Sequence, residues 1–229
     1  MVDALFIELE GVLAETLSLR RRALQSTLAA DGLPFSDDLF AEQCWGLATR
    51  EAVRAALGAA GAERDDVVID LMTARADRAF TAGLALGFAL APGARELLVA
   101  AHGLTRLALV TRASRHSAEP MLALASLEDA FECIVTADDT LDGKPAAAPY
   151  RRAIERLARR RAVDPSRVIA LEDALPGIRG ARAGGVRPVA VGAAPHVAVE
   201  ADACVTSLVG QTPARLGELA AIDRGARAS

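Results

Sequence analysis

Residues 4–16 read A-L-F-I-E-L-E-G-V-L-A-E-T. The apolar run into Glu8 has the composition of a short strand buried on both faces, over about residues 4–9. Glu8 and Glu10 stand at i and i+2. On an extended chain they share a face, about 7 Å apart. Gly11 follows at once and permits positive φ and close backbone approach. Two acids at the end of a buried strand are either a solvated end or the start of a site. The rest of the chain has to decide between them.

From about Leu17 to Leu86 the pattern is helical. R-R-A-L-Q-S-T-L-A-A repeats apolar residues at three and four, and further segments follow at 38–44, 49–59 and 65–82. Asp31-Gly32 and Gly61 punctuate them, and nothing here reads as a strand. After Ala91-Pro92-Gly93 the rhythm changes. Strands are expected at 104–111, 133–136, 167–171 and 186–191, with a last one at 203–205. Helices are expected at 93–101, 116–125, 148–161, 176–183 and 213–221, and the tail after Asp223 is expected to fray. Strands alternating with helices give right-handed crossovers and a parallel sheet covered on both faces. The expectation is therefore an α/β, doubly wound core formed by residues 1–16 and 87–229, with an all-helical domain, residues 17–86, inserted after the first strand.

Composition narrows the function. At 52% hydrophobic and 24% charged the chain has a globular composition, and its net charge of −4 argues against broad nucleic-acid binding. Cys44, Cys133 and Cys204 form no C-x-x-C, and the three histidines have no zinc-ligand spacing. The N-terminus lacks the basic region of a signal peptide, and the apolar run from Ala82 to Pro92 is too short to span a bilayer. A cytoplasmic protein without membrane or nucleic-acid partners, a monomer or weak dimer, is the expectation.

Ligands of doubly wound sheets bind at the carboxyl ends of the strands. There the chain delivers Glu8 and Glu10 from the first strand, Thr111 from the second and Glu172-Asp173 from the fourth. Two acidic clusters at neighbouring strand ends make a hard, oxygen-rich site suited to Mg²⁺. Lys144 lies in D-G-K-P, after the third strand. It is the single lysine among 26 basic residues, the others all being arginine. An ammonium is a compact point charge and a guanidinium a planar fork, so this position reads as one where only lysine works.

An apolar strand with acid-x-acid-Gly-Val-Leu, a helical insert, strand plus Thr, Gly-Lys-Pro, and strand plus Glu-Asp, in that order, resembles the haloacid dehalogenase-like hydrolase superfamily. The resemblance covers about residues 4–192. The place of the insert resembles the small helical cap class, as in phosphoglycolate phosphatases and β-phosphoglucomutases. The resemblance implies a Mg²⁺-dependent phosphatase or phosphomutase acting on a small phosphorylated metabolite. Carried over by position, it makes Glu8 the nucleophile and Glu10 the general acid/base. Thr111 and Lys144 would hold the phosphoryl oxygens, and Glu8, Glu10, Glu172 and Asp173 the metal. The segment G-L-A-T-R-E-A-V (46–53) resembles the substrate-reading cap loop, with Arg50 as a candidate contact. Arg112 and Ser114, just past Thr111, are further candidates for substrate binding.

The departures are specific. The family reads Asp-x-Asp-Gly with a further Asp downstream, whereas this chain has Glu at 8, 10 and 15. Arg112 stands where Asn is frequent, and Ala147-Ala148 replace a Pro-Asp. One extra methylene moves a carboxylate by about 1.5 Å, and a misplacement of about 1 Å can cost on the order of 10²-fold in rate. The competing expectation is a catalytically impaired relative that binds a phosphorylated ligand or a partner. Glycoside hydrolysis by the Glu pair would leave Lys144 and Glu172-Asp173 without a role. A dehalogenase would leave the second acid pair idle.

Overall fold

A computed structural model of the protein describes residues 2–227, with side chains described through residue 221. Six parallel strands form one sheet: β1 (Ala4–Ile7), β2 (Arg106–Val110), β3 (Cys133–Val135), β4 (Val168–Glu172), β5 (Arg187–Val191) and β6 (Ala203–Val205). Their order is β3-β2-β1-β4-β5-β6. The order reverses between β1 and β4, where the crossovers leave a crevice at the strand ends. Strand β1 is buried throughout because both its faces carry a core. Leu5 and Ile7 pack into one apolar cluster, Ala4 and Phe6 into the other.

The insert folds as α1 (Leu17–Ala29), α2 (Asp37–Leu39), a π-helical turn (Phe40–Cys44), α3 (Thr49–Ala59) and α4 (Asp66–Leu84). It has a core of its own, built from Leu24, Leu28, Val53, Leu57, Ile69 and Met72. Phe80 and Leu84, near the end of α4, instead join the main core. The two connections to the insert run side by side: Glu15 N–H bonds the Ala89 carbonyl and Ala91 N–H the Leu13 carbonyl, both at 2.9 Å.

The remaining helices are α5 (Ala94–Ala101), α6 (Arg115–Ala125), α7 (Ala148–Ala158), α8 (Leu175–Ala183), α9 (Pro195–Ala198) and α10 (Pro213–Arg227). Helix α7 stops three residues before its expected end, and R-R-R, residues 159–161, passes into a turn. Pro176-Gly177, which resembles a turn in sequence, lies in the first turn of α8. Proline is tolerated there because the first-turn N–H groups have no partner within the helix. The backbone of α10 continues to Arg227, and the end of the tail lies outside the described residues. Among the described residues no helix is long and apolar enough to cross a membrane.

Candidate active site

Register builds the site. Ile7 pairs with Leu109 on one side and Leu171 on the other. The next residue, Glu8, therefore comes level with Val110 and Glu172 as β1 ends. Its N–H bonds the Leu171 carbonyl at 3.1 Å, continuing the ladder by one rung.

Lys144 enters this row from the loop after β3 and is fully buried. Its ammonium donates to Glu8 Oε2 at 2.7 Å, Glu172 Oε1 at 2.6 Å and the Val110 carbonyl at 2.8 Å. Those contacts use all three of its N–H bonds. A guanidinium is too broad to sit among three oxygens from three adjacent strands, which accounts for the single lysine in an arginine-rich chain. The other Glu8 oxygen, Oε1, accepts from Leu9 N–H at 2.8 Å. Burial works to raise the Glu8 pKa, but the Lys144 and Arg112 charges and the Thr111 hydroxyl together hold it below the usual carboxylate range. Glu8 is thus an ionised carboxylate in a dry place.

Glu172 and Asp173 sit in the opposite regime. Burial, together with the charge of Glu8, raises the Glu172 pKa despite Lys144. Burial and Glu8 also push Asp173 up to about 7. Tyr150 O–H faces Glu172 Oε1 and the Gly177 carbonyl, and burial beside Glu172 raises its own pKa well above 10. Two glycines make the space. A Cβ on Gly177 would lie 1.9 Å from Glu172 Oε2, and one on Gly11 2.1 Å from Asp173 Oδ2.

Glu10 does not stay with Glu8. The chain turns at Gly11, whose φ is +83°, and Leu13 and Ala14 N–H both return to the Leu9 carbonyl. The Glu10 carboxylate is taken by Arg20 of α1, at 2.7 Å from Nη2 and 3.3 Å from Nε. Arg20 Nη1 also donates to Asp77 at 2.9 Å and Thr49 at 3.1 Å. The shared strand face expected for the two acids is therefore corrected. They border one cavity but are held by different cations, because the turn ends the period-two alternation after Glu8.

That cavity, of about 40 Å³, lies between sheet and insert. Glu8, Glu10, Thr111, Arg112 and Asp173 line it from the core, and Arg20, Trp45, Gly46 and Thr49 from the insert. Trp45 Nε1 donates to Asp173 Oδ2 at 3.0 Å and closes one side. Thr111 is buried, its hydroxyl accepting from Ala113 N–H at 3.1 Å. Ser114 caps α6, accepting from Ser117 N–H. Arg50 is placed elsewhere, on the outer face of the insert, bonded to Asp70 at 2.6 Å and Asp66 at 2.8 Å. Arg20, Trp45 and Tyr150 are the residues that the sequence reading passed over. Trp45 and Tyr150 could have been noticed as the chain's single tryptophan and single tyrosine; Arg20 carries no signal in its local sequence.

A model of the haloacid dehalogenase-like hydrolase family matches residues 2–185. The chain belongs to that family. It is 31% identical over 206 residues to Protein CbbY of Cereibacter sphaeroides, covering 82% of this chain and 83% of that protein. It is 27% identical over 192 residues to a phosphorylated carbohydrates phosphatase of Thermotoga maritima, covering 82% of this chain and 84% of that one. Among solved structures, a mutant CbbY from Rhodobacter sphaeroides in complex with xylulose-1,5-bisphosphate superposes with a TM-score of 0.83. Its sequence is 28% identical, over 94% of this chain and 99% of that one. The insert is thus the helical cap of a haloacid dehalogenase-like hydrolase.

The family implies a divalent cation. Among the described residues, no three His, Cys, Asp or Glu side chains gather as a metal-binding group. Glu10 is drawn off by Arg20, and Glu172 meets Lys144 and Tyr150 through Oε1, while its buried Oε2 has no partner but lies off the cavity wall. Glu8 and Asp173 remain as buried carboxylates on the cavity wall. Mg²⁺ is commonly held by one or two carboxylates, with water and substrate phosphate completing its shell, so this smaller donor set fits.

Proposed function

We propose that the protein is a Mg²⁺-dependent phosphatase or phosphomutase acting on a small phosphorylated sugar, with Glu8 as the attacking carboxylate. One observation carries this reading: Glu8 is buried, kept ionised by Lys144, and presented at the central strand end on the wall of the cavity. The substrate class is supported by the similarity to a phosphorylated carbohydrates phosphatase and to a CbbY structure that holds a sugar bisphosphate. The fold without those names would support only a phosphoryl-transfer scaffold.

A Glu8 oxygen attacks phosphorus in line, and the bond from phosphorus to the sugar oxygen breaks. The product of this step is a glutamyl phosphate and a sugar alkoxide, which takes a proton from Glu10. Water then attacks the phosphorus of the glutamyl phosphate, gives its proton back to Glu10 and releases Glu8; in a mutase a sugar hydroxyl replaces the water. Lys144 fixes the Glu8 carboxylate in place. Mg²⁺, held by Glu8 and Asp173, would supply charge neutralisation at the transferring oxygens. A cavity of about 40 Å³ holds a water molecule but no sugar phosphate. Substrate entry therefore requires the cap to open and the Trp45–Asp173 bond to break.

One observation favours the second reading, a catalytically impaired phosphate-binding relative. Arg20 holds the Glu10 carboxylate through two N–H groups, so the carboxylate assigned as acid/base is tied to the cap instead of facing the reacting group. The test is phosphate release from an aryl phosphate and a sugar-phosphate panel with Mg²⁺. The wild type is expected to turn over, and Glu8→Gln to fall by at least about 10³-fold. Silence from the wild type, with activity gained in Glu8→Asp, would select the second reading.

A further inference from the structure

The resemblance assigns the phosphoryl oxygens to Lys144, but Lys144 has no N–H left to give. Its three donors end on Glu8, Glu172 and the Val110 carbonyl. Arg112 presents the opposite case. It is only 8% exposed, yet its Nε and Nη1 have no hydrogen-bond partner. Buried guanidinium N–H groups left unpaired are costly, because water is lost and nothing replaces it.

The surroundings show where those N–H groups can find a partner. Arg112 follows Thr111 at the end of β2 and lines the same cavity as Glu8 and Asp173. The cap closes directly over it: a Cβ on Gly46 would lie 2.7 Å from Arg112 Nη2. Gly46 has a φ of +76°, a conformation in which glycine is the favoured residue. Arg20, the other arginine on the cavity wall, is already bonded to Glu10, Asp77 and Thr49. Arg112 is thus the cation of this cavity with donors to spare, and a guanidinium edge formed by Nη2 with one of these free N–H groups matches two oxygens of a tetrahedral oxyanion.

We propose that Arg112 is the direct ligand of the substrate's transferring phosphoryl group, and that Lys144 serves to hold Glu8 and Glu172 in place. The inference rests on the phosphoryl-transfer reading above and assigns its phosphate contact to a residue where the family more often has asparagine. It implies that the site binds a phosphate oxyanion through the protein's own fork, before any divalent cation contributes.

The test is titration calorimetry of the full chain with inorganic phosphate in the presence of a chelator, then with Mg²⁺. The wild type should bind phosphate under both conditions. Arg112→Gln should weaken binding at least about tenfold under both, a loss of one charge-assisted fork. Arg112→Lys, which keeps the charge but not the fork, should fall between the two. Arg64→Gln, on the exposed cap surface, controls for overall charge and should bind as the wild type does. If Arg112→Gln does not fold, a wild-type affinity in Arg112→Lys overturns the fork, and an intermediate one supports it. Unchanged affinity in Arg112→Gln, or no phosphate binding by the wild type, overturns the proposal. Hydrolysis is read separately. A wild type that hydrolyses sugar phosphates, with kcat and KM unchanged in Arg112→Gln, leaves the function standing and removes Arg112 from it. Binding through Arg112 without turnover by any route does the reverse.

Discussion

Two buried cations organise this molecule, and they do different work. Lys144 lies entirely within the core and draws together Glu8, Glu172 and the Val110 carbonyl from three adjacent strands. Arg20 lies in the cap and joins Glu10 of the core to Thr49 and Asp77 of the cap. The Arg20 cluster is closed: its fork meets two carboxylates, and its planar face lies 3.6 Å from the centre of the Phe80 ring. The Lys144 cluster is not closed. Three buried carboxylates, Glu8, Glu172 and Asp173, face two buried cations, Lys144 and Arg112. Burial, with the charge of Glu8 beside them, pushes both Glu172 and Asp173 up in pKa. A saturated network holds cap and core in register, whereas the Lys144 cluster leaves the buried Arg112 N–H groups beside it free for a ligand.

The sharpest way to break this comparison is to remove each cation in turn. Lys144→Met strands two buried carboxylates and is expected to cost about 5 kcal/mol, the upper end of the range for breaking a buried pair. Urea unfolding measures it, and phosphate release should vanish with it. Arg20→Met should cost less, roughly 3 kcal/mol, because Glu10 and Asp77 lie nearer to solvent. Its larger effect should fall on cap position, read as a change in Trp45 emission. Equal losses of stability and the same change in emission in both variants would erase the distinction.

The burial of Asp173 beside Glu8 predicts a pH dependence. In the folded state Asp173 titrates at about 7, above its ordinary value of 3.8. Between those values the unfolded chain has lost this proton and the folded chain keeps it, so the Asp173 contribution to stability falls as pH rises and levels off above 7. The difference is on the order of 4 kcal/mol. In chelator, Asp173→Asn should therefore exceed the wild type in stability at pH 8 and match it at pH 4, by urea titration at each pH. A gain that is the same at both pH values would remove the titration argument.

The smallest expected effect is at the cap–core contact. Trp45→Phe deletes the indole N–H that meets Asp173 and should cost about 1.5 kcal/mol. It should also raise the Asp173 pKa further, since that N–H is one of the groups lowering it. The check is the same pH series, in which the fall in stability should extend to higher pH than in the wild type.

The elements were legible because their patterns are local. The apolar run into Glu8, the three-and-four spacing from Leu17 to Leu86 and the strand–helix alternation after Pro92 each depend on near neighbours, and the sheet follows from them. The ends of elements were less so: α7 stops at Ala158, three residues short of its expected end, and the backbone of α10 runs past residue 221 to Arg227. The core half of the site was legible for a similar reason. Strand ends in a parallel sheet converge, so Glu8, Thr111, Glu172 and Asp173 had to meet. The cap half was not. Arg20 and Arg50 both look like helical surface arginines, and only the packing of α1 against α4 sends Arg20 to Asp77 and Glu10, while α3 leaves Arg50 outside with Asp66 and Asp70.

The sequence by itself determined the sheet, the place of the helical insert, and the need for a lone lysine among arginines. Each of these follows from spacing along the chain or from the chemistry of one side chain. Tertiary structure alone decided how the charges are shared. It gave all three of the Lys144 donors to the protein, turned Glu10 towards Arg20 and left Arg112 with N–H groups unspent. Hydrogen-bond capacity is finite and is allotted in space, and residue 112 meets Gly46 of the cap only after sixty-odd intervening residues have folded between them.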